Sequence, residues 1–206
     1  MAATTAPDVP GHDVSAEVVE LCRDLIRIDT SNYGGGEGPG ERKAAEHVAT
    51  LLDEVGIAAE VIETAPGRAN VLARWGGSGG RSDALLLHGH LDVVPAAAED
   101  WQVHPFSGEV QDCPQGGLSV WGRGAVDMKD FDAMLLSVVR ARQRAGRIPE
   151  REIVLCFTAD EEAGGHYGAD LLVQHHAEWF DGCTEAVGEV GGFSTTVRGR
   201  RLYLIE

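Results

Sequence analysis

Residues 84–95 read ALLLHGHLDVVP, an apolar run that leads directly into two histidines and an aspartate. Four continuously apolar residues at its start are typical of a strand that is buried on both faces of a sheet. A second such run, IVLCF at residues 153–157, leads into the acidic stretch TADEE. Because helical patterns separate these strands, the sequence predicts an α/β fold of three layers, with a mostly parallel sheet and helices on both faces. Open α/β sheets place their ligand sites at the carboxyl ends of the strands, where both polar stretches stand.

The remaining elements follow from the periodicity of apolar residues and from the positions of glycine and proline. Helical spacing predicts helices that start at residue 14 and that span 41–55, 128–144 and 168–175. Runs of branched residues predict additional strands at 57–62, 70–75, 185–190 and 196–205. We expect irregular chain between residues 96 and 119 and a flexible N-terminus at residues 1–13.

The composition excludes several classes of partner. Acidic residues number 33 against 17 lysines and arginines, and the formal net charge of −16 repels a phosphate backbone, so we expect no nucleic-acid partner. No run approaches the roughly 20 apolar residues of a membrane span, and the N-terminus lacks the basic and apolar regions of a signal peptide. The four cysteines are widely spaced, without a CxxC pair. These features predict a cytoplasmic protein with reduced thiols and no membrane partner.

A glycine-rich segment at residues 31–42, SNYGGGEGPGER, raises the alternative of a nucleotide-binding loop. Phosphate-binding loops of this kind end in a lysine followed by serine or threonine, whereas Glu41 and Arg42 follow the last glycine here. Glu37 would also repel an anion. We therefore interpret the segment as a loop that leads into a helix.

Side chains that can bind metals stand near the ends of the predicted strands. His90 and Asp92 alternate in an extended segment and therefore point the same way, so the imidazole can bind a metal while the carboxylate fixes its orientation. Asp127 lies between a glycine-flanked turn and a helix, where it can bind one metal, bridge two, or cap the helix. A partly buried surface histidine and a simple helix cap are the alternatives at these positions.

Two further acidic groups follow later strands. Asp160, Glu161 and Glu162 are three successive acids, an arrangement that is costly unless a positive group lies beside them. A metal ion satisfies that condition, with one carboxylate as a ligand and its neighbour as a general base. A charged surface loop is the alternative. Glu189 lies between an apolar strand and two glycines, and alone it indicates little.

Taken in order, four motifs resemble those of the M20 family (M20/M25/M40) of metallopeptidases and amidohydrolases: HGHLDVVP at 88–95, GRGAVDMKD at 122–130, ADEEAGG at 159–165 and GEVGG at 188–192. That family includes carboxypeptidases, aminoacylases, dipeptidases and a desuccinylase, and the resemblance runs from about residue 14 to the end. It implies a zinc-peptidase-like catalytic domain. It also implies hydrolysis of an amide or peptide bond, in an acyl-amino acid or a short peptide, by zinc-activated water.

The resemblance further implies a site of two zinc ions, for which cobalt or manganese can substitute. Its metal ligands would be His90, Asp127, Glu162 and Glu189. Asp127 would bridge the two ions, with His90 and Glu189 on the first and Glu162 on the second.

Two residues would assist catalysis without completing the ligand set. Asp92 would orient His90, and Glu161 would be the general base that takes a proton from water. The alternative to a hydrolase is a non-catalytic metal-binding or interaction protein on the same fold. The presence of Glu161, the expected general base, favours the hydrolase.

The family pattern extends beyond this sequence. Residues 14–206 correspond to the N-terminal portion of the catalytic domain, whereas a lid domain and a C-terminal return segment with a last histidine ligand are not matched. We therefore expect weak or no hydrolysis from the 206-residue chain. The resemblance implies that a longer parent protein forms a homodimer through the lid domain.

Overall fold

The structure is a computed structural model, and it describes residues 14–77, 79, 83–113, 116–189 and 194–203. Its strands are β1 (Ala59–Ala65), β2 (Arg68–Trp75), β3 (Ala84–His90), β4 (Glu109–Asp112), β5 (Leu118–Trp121), β6 (Ile153–Thr158), β7 (Cys183–Val187), β8 (Ser194–Val197) and β9 (Arg200–Tyr203). Its α-helices are α1 (Val14–Arg27), α2 (Arg42–Asp53), α3 (Lys129–Arg144) and α4 (Leu171–His175). The flexible N-terminus predicted at residues 1–13 lies outside the described residues.

A five-stranded sheet in the order β1-β2-β6-β3-β7 forms the centre of the fold. β3 pairs in parallel with both β6 and β7, whereas β2 is antiparallel to β1 and to β6. Four of the five strands therefore run in one direction, and β2 alone runs against them. Its reversal follows from the Pro66–Gly67 turn, in which Gly67 has a φ of +79° and closes a tight hairpin between β1 and β2. The predicted α/β class is confirmed, with a sheet that is mixed because of this hairpin.

The larger part of the core lies between one face of the sheet and helices α1, α2 and α3. Fully buried helix residues such as Leu25, Leu52 and Leu136 pack there against Leu155 and Phe157 of β6. All six residues of β6 are buried, as expected for the central strand. The prediction that β3 is equally buried was wrong, since its residues 85–88 are only half-buried.

The opposite face carries a smaller apolar cluster, against which Leu86 of β3 packs. Leu72, Cys156 and Leu172 are buried in it, with Trp179 and Phe180 packed alongside. Because α4 and the short 3-10 helix that follows it cover this face, helices lie on both sides of the sheet, as predicted. No helix among the described residues has the length and apolar character needed to cross a membrane.

Two stretches differ from the predicted elements because turns there contain glycine. The last part of the chain expected to be irregular between residues 96 and 119 belongs to an antiparallel hairpin of β4 and β5. The single strand predicted at 196–205 is instead a hairpin of β8 and β9. Arg198 and Gly199 both have positive φ angles, +50° and +76°, which reverse the chain direction between these two strands.

Candidate metal centre

The predicted site residues meet at the end of the central sheet where the carboxyl ends of β3, β6 and β7 lie. His90 ends β3, Asp160 stands two residues after β6, and Glu189 stands two residues after β7. These three strands are parallel, so their carboxyl ends lie side by side. Asp127 reaches the same place from the turn that precedes α3, with a cis peptide bond to Met128.

Three of these side chains form a compact set of potential ligands. One ligand atom from each of His90, Asp127 and Glu189 lies within 4.8 Å of the other two. Nε2 of His90 is 3.0 Å from Oδ1 of Asp127 and 3.6 Å from Oε2 of Glu189. Two ligand atoms bound to the same tetrahedral zinc are roughly 3.4 Å apart, since each lies about 2.1 Å from the ion. The spacing and the donor set, one imidazole and two carboxylates, therefore fit zinc.

The environment of His90 leaves Nε2, the ring nitrogen that faces the carboxylates, available to a metal. Its Nδ1 lies 3.0 Å from the backbone carbonyl oxygen of Asp92, which can only accept a hydrogen bond, so Nδ1 carries a proton. Nε2 faces the two carboxylates of the ligand set. Burial by itself lowers the pKa of His90, but the Asp92 carboxylate, 3.5 Å from Nδ1, outweighs it and the pKa rises to about 10. A cation bound at Nε2 would replace the second ring proton.

Asp92 is fully buried and connects this histidine to the acidic loop after β6. Its Oδ1 accepts a hydrogen bond from the backbone N–H of Glu161 at 3.0 Å. Its Oδ2 accepts one from the backbone N–H of Glu162 at 3.1 Å and another from Nδ2 of Asn32 at 2.8 Å. Asp92 therefore positions both glutamates as well as His90, a wider role than the sequence indicated.

The two glutamates themselves are half-exposed beside the ligand set. Oε2 of Glu161 lies 3.8 Å from Nε2 of His90. Burial raises the pKa of Glu161, and the negative charges of Glu189 and Asp92 raise it further. Burial likewise raises the pKa of Glu162, and Asp127 is the next largest cause. Crowded carboxylates with raised pKa values favour a bound cation. Glu162 is not among the three residues of the compact set, but it lies near enough to Asp127 for the charge of that carboxylate to raise its pKa.

A cavity of about 120 Å³ opens at this edge of the sheet. Its lining includes the predicted site residues His90, Glu161 and Glu189, together with His88, Gly89, Met128 and Thr158. The space therefore adjoins the ligand set and the glutamate proposed from sequence as a base.

Sequence reasoning missed three buried polar residues behind this centre, Asn32, Glu41 and Arg68. Asn32 stands in the glycine-rich segment, where asparagine is common for reasons of turn geometry. The sequence places Glu41 at the start of a predicted helix and indicates no role for Arg68. No local pattern distinguishes them, because each contacts residues that are remote along the chain.

Comparisons with known proteins agree with this fold. Residues 86–198 match the family described as peptidase family M20/M25/M40. The chain is 35% identical over 179 residues to succinyl-diaminopimelate desuccinylase of Methylocella silvestris, which covers 83% of this chain and 42% of that protein. It is 32% identical over 160 residues to aminoacylase-1 of Sus scrofa, which covers 76% of this chain and 36% of that protein. The chain therefore belongs to peptidase family M20/M25/M40, and the resemblance seen in its motifs is confirmed.

Solved structures of similar fold include human carnosine dipeptidase 1, with a TM-score of 0.70 and 20% identity over 86% of this chain and 39% of that one. The M20 family metallo-carboxypeptidase Sso-CP2 from Sulfolobus solfataricus gives a TM-score of 0.68 and 20% identity over 85% of this chain and 38% of that one. At this identity the likeness shows a shared fold. The chain spans well under half the length of these relatives.

Proposed function

We propose that this protein is a zinc-dependent hydrolase that cleaves an amide or peptide bond in a small substrate, an acyl-amino acid or a short peptide. The observation that carries the proposal is the set of ligand atoms from His90, Asp127 and Glu189 within 4.8 Å of one another. Glu161, with a carboxylate oxygen 3.8 Å from Nε2 of His90, supplies a base beside that set. The names of the related desuccinylase and aminoacylase support this substrate class.

Within this proposal, His90, Asp127 and Glu189 hold the first zinc ion. Asp127 also contributes to a second ion, together with Glu162. When bound, zinc supplies Lewis acidity, which makes water nucleophilic near neutral pH and polarises a carbonyl group. Cobalt and manganese suit the same nitrogen and oxygen donors.

Glu161 moves the proton in this proposal. Its side chain is 51% exposed at the edge of the cavity, so it reaches both water and substrate. Burial and neighbouring carboxylates raise its pKa, which strengthens it as a base. It would take a proton from the attacking water and pass it to the departing amine. Asp92 would keep Glu161 in place through the hydrogen bond to its backbone N–H.

The two zinc ions should bind with unequal strength. A catalytic zinc usually has three protein ligands, and the first ion has three among the described residues. The second ion has only two ligands among the described residues, Asp127 and Glu162. We propose that the first zinc binds more tightly, and that residues 14–206 alone hydrolyse substrate weakly. The homodimer implied by the resemblance stays a prediction.

The proposal is tested by zinc titration and by hydrolysis of N-acyl amino acids and dipeptides. We expect Glu161→Gln to retain zinc while kcat falls by about 10²–10⁴-fold, the usual contribution of a general base. Glu178→Gln, on an exposed side chain outside the site, is the matched control and should change neither quantity. A wild-type protein that takes up no zinc would contradict the proposal. Zinc binding with no hydrolysis of any of these substrates would instead support a non-catalytic metal-binding protein.

A further inference from the structure

Asn32 lies between two carboxylates that belong to different parts of the metal centre. Its Nδ2 donates to Oδ2 of Asp92 at 2.8 Å and to Oδ1 of Asp160 at 3.0 Å. Its Oδ1 accepts from the backbone N–H of Gly34 at 3.0 Å and from Nη2 of Arg68 at 3.2 Å. An amide side chain offers two donors and an acceptor with two lone pairs, so every hydrogen-bonding position of Asn32 is occupied.

Burial makes this arrangement energetically important. Asn32 is 4% exposed, Asp160 is 2% exposed and Asp92 is fully buried. Two buried carboxylates repel one another, and each has lost its contact with water, so hydrogen-bond donors from the protein stabilise both. The amide of Asn32 supplies one donor to each of them at once. Asn32 therefore holds together two acidic groups that would otherwise move apart.

The two carboxylates together hold the histidine and the acidic loop of the centre. Asp92 contacts His90 and the backbone N–H groups of Glu161 and Glu162. Asp160 is a non-glycine residue with a left-handed backbone, at a φ of +65°. Its other oxygen, Oδ2, accepts from the backbone N–H of Tyr167 at 3.0 Å, which fixes the path of the loop. A connection between these two carboxylates is thus a connection between the end of β3 and the acidic loop after β6.

Asn32 is itself held by a buried ion pair. Arg68 is 1% exposed and pairs with the fully buried carboxylate of Glu41. The same guanidinium donates to the backbone carbonyl of Glu37 at 2.7 Å, so it anchors the glycine-rich segment at two points. With both its oxygen and its loop fixed, Asn32 has little freedom to follow a displaced carboxylate.

We infer that Asn32 is a positioning residue that sets the spacing between His90 and the Glu161–Glu162 pair, through Asp92 and Asp160, and thereby sets the metal affinity of the site. This inference rests on the proposed function. Asn32 does not bind the metal in this scheme. It acts only through the two carboxylates.

Asn32→Asp is the sharpest variant, because it is isosteric and alters only half of the contacts. One oxygen can still accept from Gly34 and Arg68. The other oxygen replaces the Nδ2 donor of Asn32, so an acceptor then faces the carboxylates of Asp92 and Asp160. We expect zinc affinity to fall about 10–100-fold, the usual effect of removing a group that orients a metal ligand. The absorption spectrum of the cobalt-loaded protein should change as well, since it reports ligand geometry.

Asn70→Asp is the matched control. Asn70 is also a fully buried asparagine, and its amide contacts the hydroxyl of Thr64 and backbone groups of Ile62, Tyr167 and Ala159 rather than a site carboxylate. The free energy of unfolding is measured for each variant beside the zinc dissociation constant. The inference predicts that Asn70→Asp lowers stability but changes zinc affinity less than about 2-fold. A similar loss of zinc affinity in both variants would assign Asn32 a general structural role and overturn the inference.

Asn32→Ala provides a second variant that removes both donors without adding a charge, and it should also weaken zinc binding. If Asn32→Asp folds and binds zinc as the wild type does, the inference is wrong. If neither variant folds, Asn32 is required by the fold rather than by the site, and the inference is rejected. A wild-type protein that binds no zinc would reject the proposed function itself, which is a separate result.

Discussion

Oδ1 of Asp92 accepts a hydrogen bond from the backbone N–H of Glu161 at 3.0 Å, between residues 69 positions apart along the chain. Through this bond, the segment after β3 and the loop after β6 form one unit at the edge of the sheet. The carboxylate is fully buried and also faces the ring of His90 at 3.5 Å. A single aspartate thus fixes the relative positions of a potential metal ligand and a potential base.

The first prediction concerns the histidine of the ligand set. His90→Ala should remove one of the three proposed ligands of the first zinc, with a loss of affinity beyond the ~10–100-fold typical of groups that only orient a ligand. His166→Ala is the matched control, because His166 also pairs with an aspartate, Asp170 at 2.8 Å, but on an exposed surface. Bound zinc is measured by metal analysis after dialysis. Equal zinc content in both variants would exclude His90 as a ligand.

The second prediction concerns Gly188, which precedes Glu189. A methyl group added at Gly188 would lie 2.2 Å from Nε2 of His88, so either the ring or the backbone that carries Glu189 must move. We expect Gly188→Ala to weaken zinc binding about 10-fold or more, by analogy with other groups that orient a ligand. The double variant with His88→Ala removes the clash and should recover most of the affinity. Zinc titrations that show no loss in Gly188→Ala would contradict this account.

The third prediction concerns a buried carboxyl on α3. Asp132 is fully buried, and neither carboxylate oxygen has a hydrogen-bond partner among the described residues. Burial raises its pKa well above the usual range, so an ionised Asp132 opposes folding. Asp132→Asn should increase the free energy of unfolding at neutral pH by about 1–3 kcal/mol, because the amide carries no charge that must be desolvated or protonated on folding, and each pKa unit corresponds to about 1.4 kcal/mol. Urea denaturation tests this, with the exposed Asp53→Asn as a control that should change little. A destabilised Asp132→Asn variant would show that the carboxylate is needed.

The fourth prediction is a pH dependence. Burial raises the pKa of Glu41 to about 7, although Arg68 partly offsets this effect. A raised pKa means that the folded state holds the proton of Glu41 more tightly than the unfolded state does. The stabilisation from protonated Glu41 is therefore complete below the unfolded-state pKa of 4.5 and is lost as the pH rises through the folded-state pKa of about 7. The free energy of unfolding of the wild type, relative to Glu41→Gln, should therefore fall with rising pH in this range. The slope is at most about 1.4 kcal/mol per pH unit.

Denaturation at several pH values between 4 and 8 measures this difference. Glu46→Gln is the matched control, since Glu46 also pairs with an arginine, Arg42, but its side chain is 55% exposed. Its difference from the wild type should stay nearly constant with pH. A difference for Glu41→Gln that is equally flat would contradict a raised pKa at this position.

Much of the fold is encoded locally in the sequence. The apolar runs at 84–87 and 153–157 correctly indicated two neighbouring strands. They also indicated that the polar residues meet at the carboxyl ends of these strands. The helix predicted at 128–144 corresponds closely to α3. Periodicity reports such elements because it depends on residues within one or two turns of each other. It failed at the β8–β9 hairpin, where the short turn at Arg198–Gly199 lies inside a continuous strand-like run.

The sequence by itself therefore determined the α/β class, the order of the polar motifs and the membership of the peptidase family. Only the tertiary structure revealed the reversed direction of β2 and the polar network behind the metal centre. The contacts of Asn32 with Asp92 and Asp160 span 60 and 128 positions of the chain. Such contacts depend on how the strands and loops pack together, and no pattern among neighbouring residues encodes that arrangement.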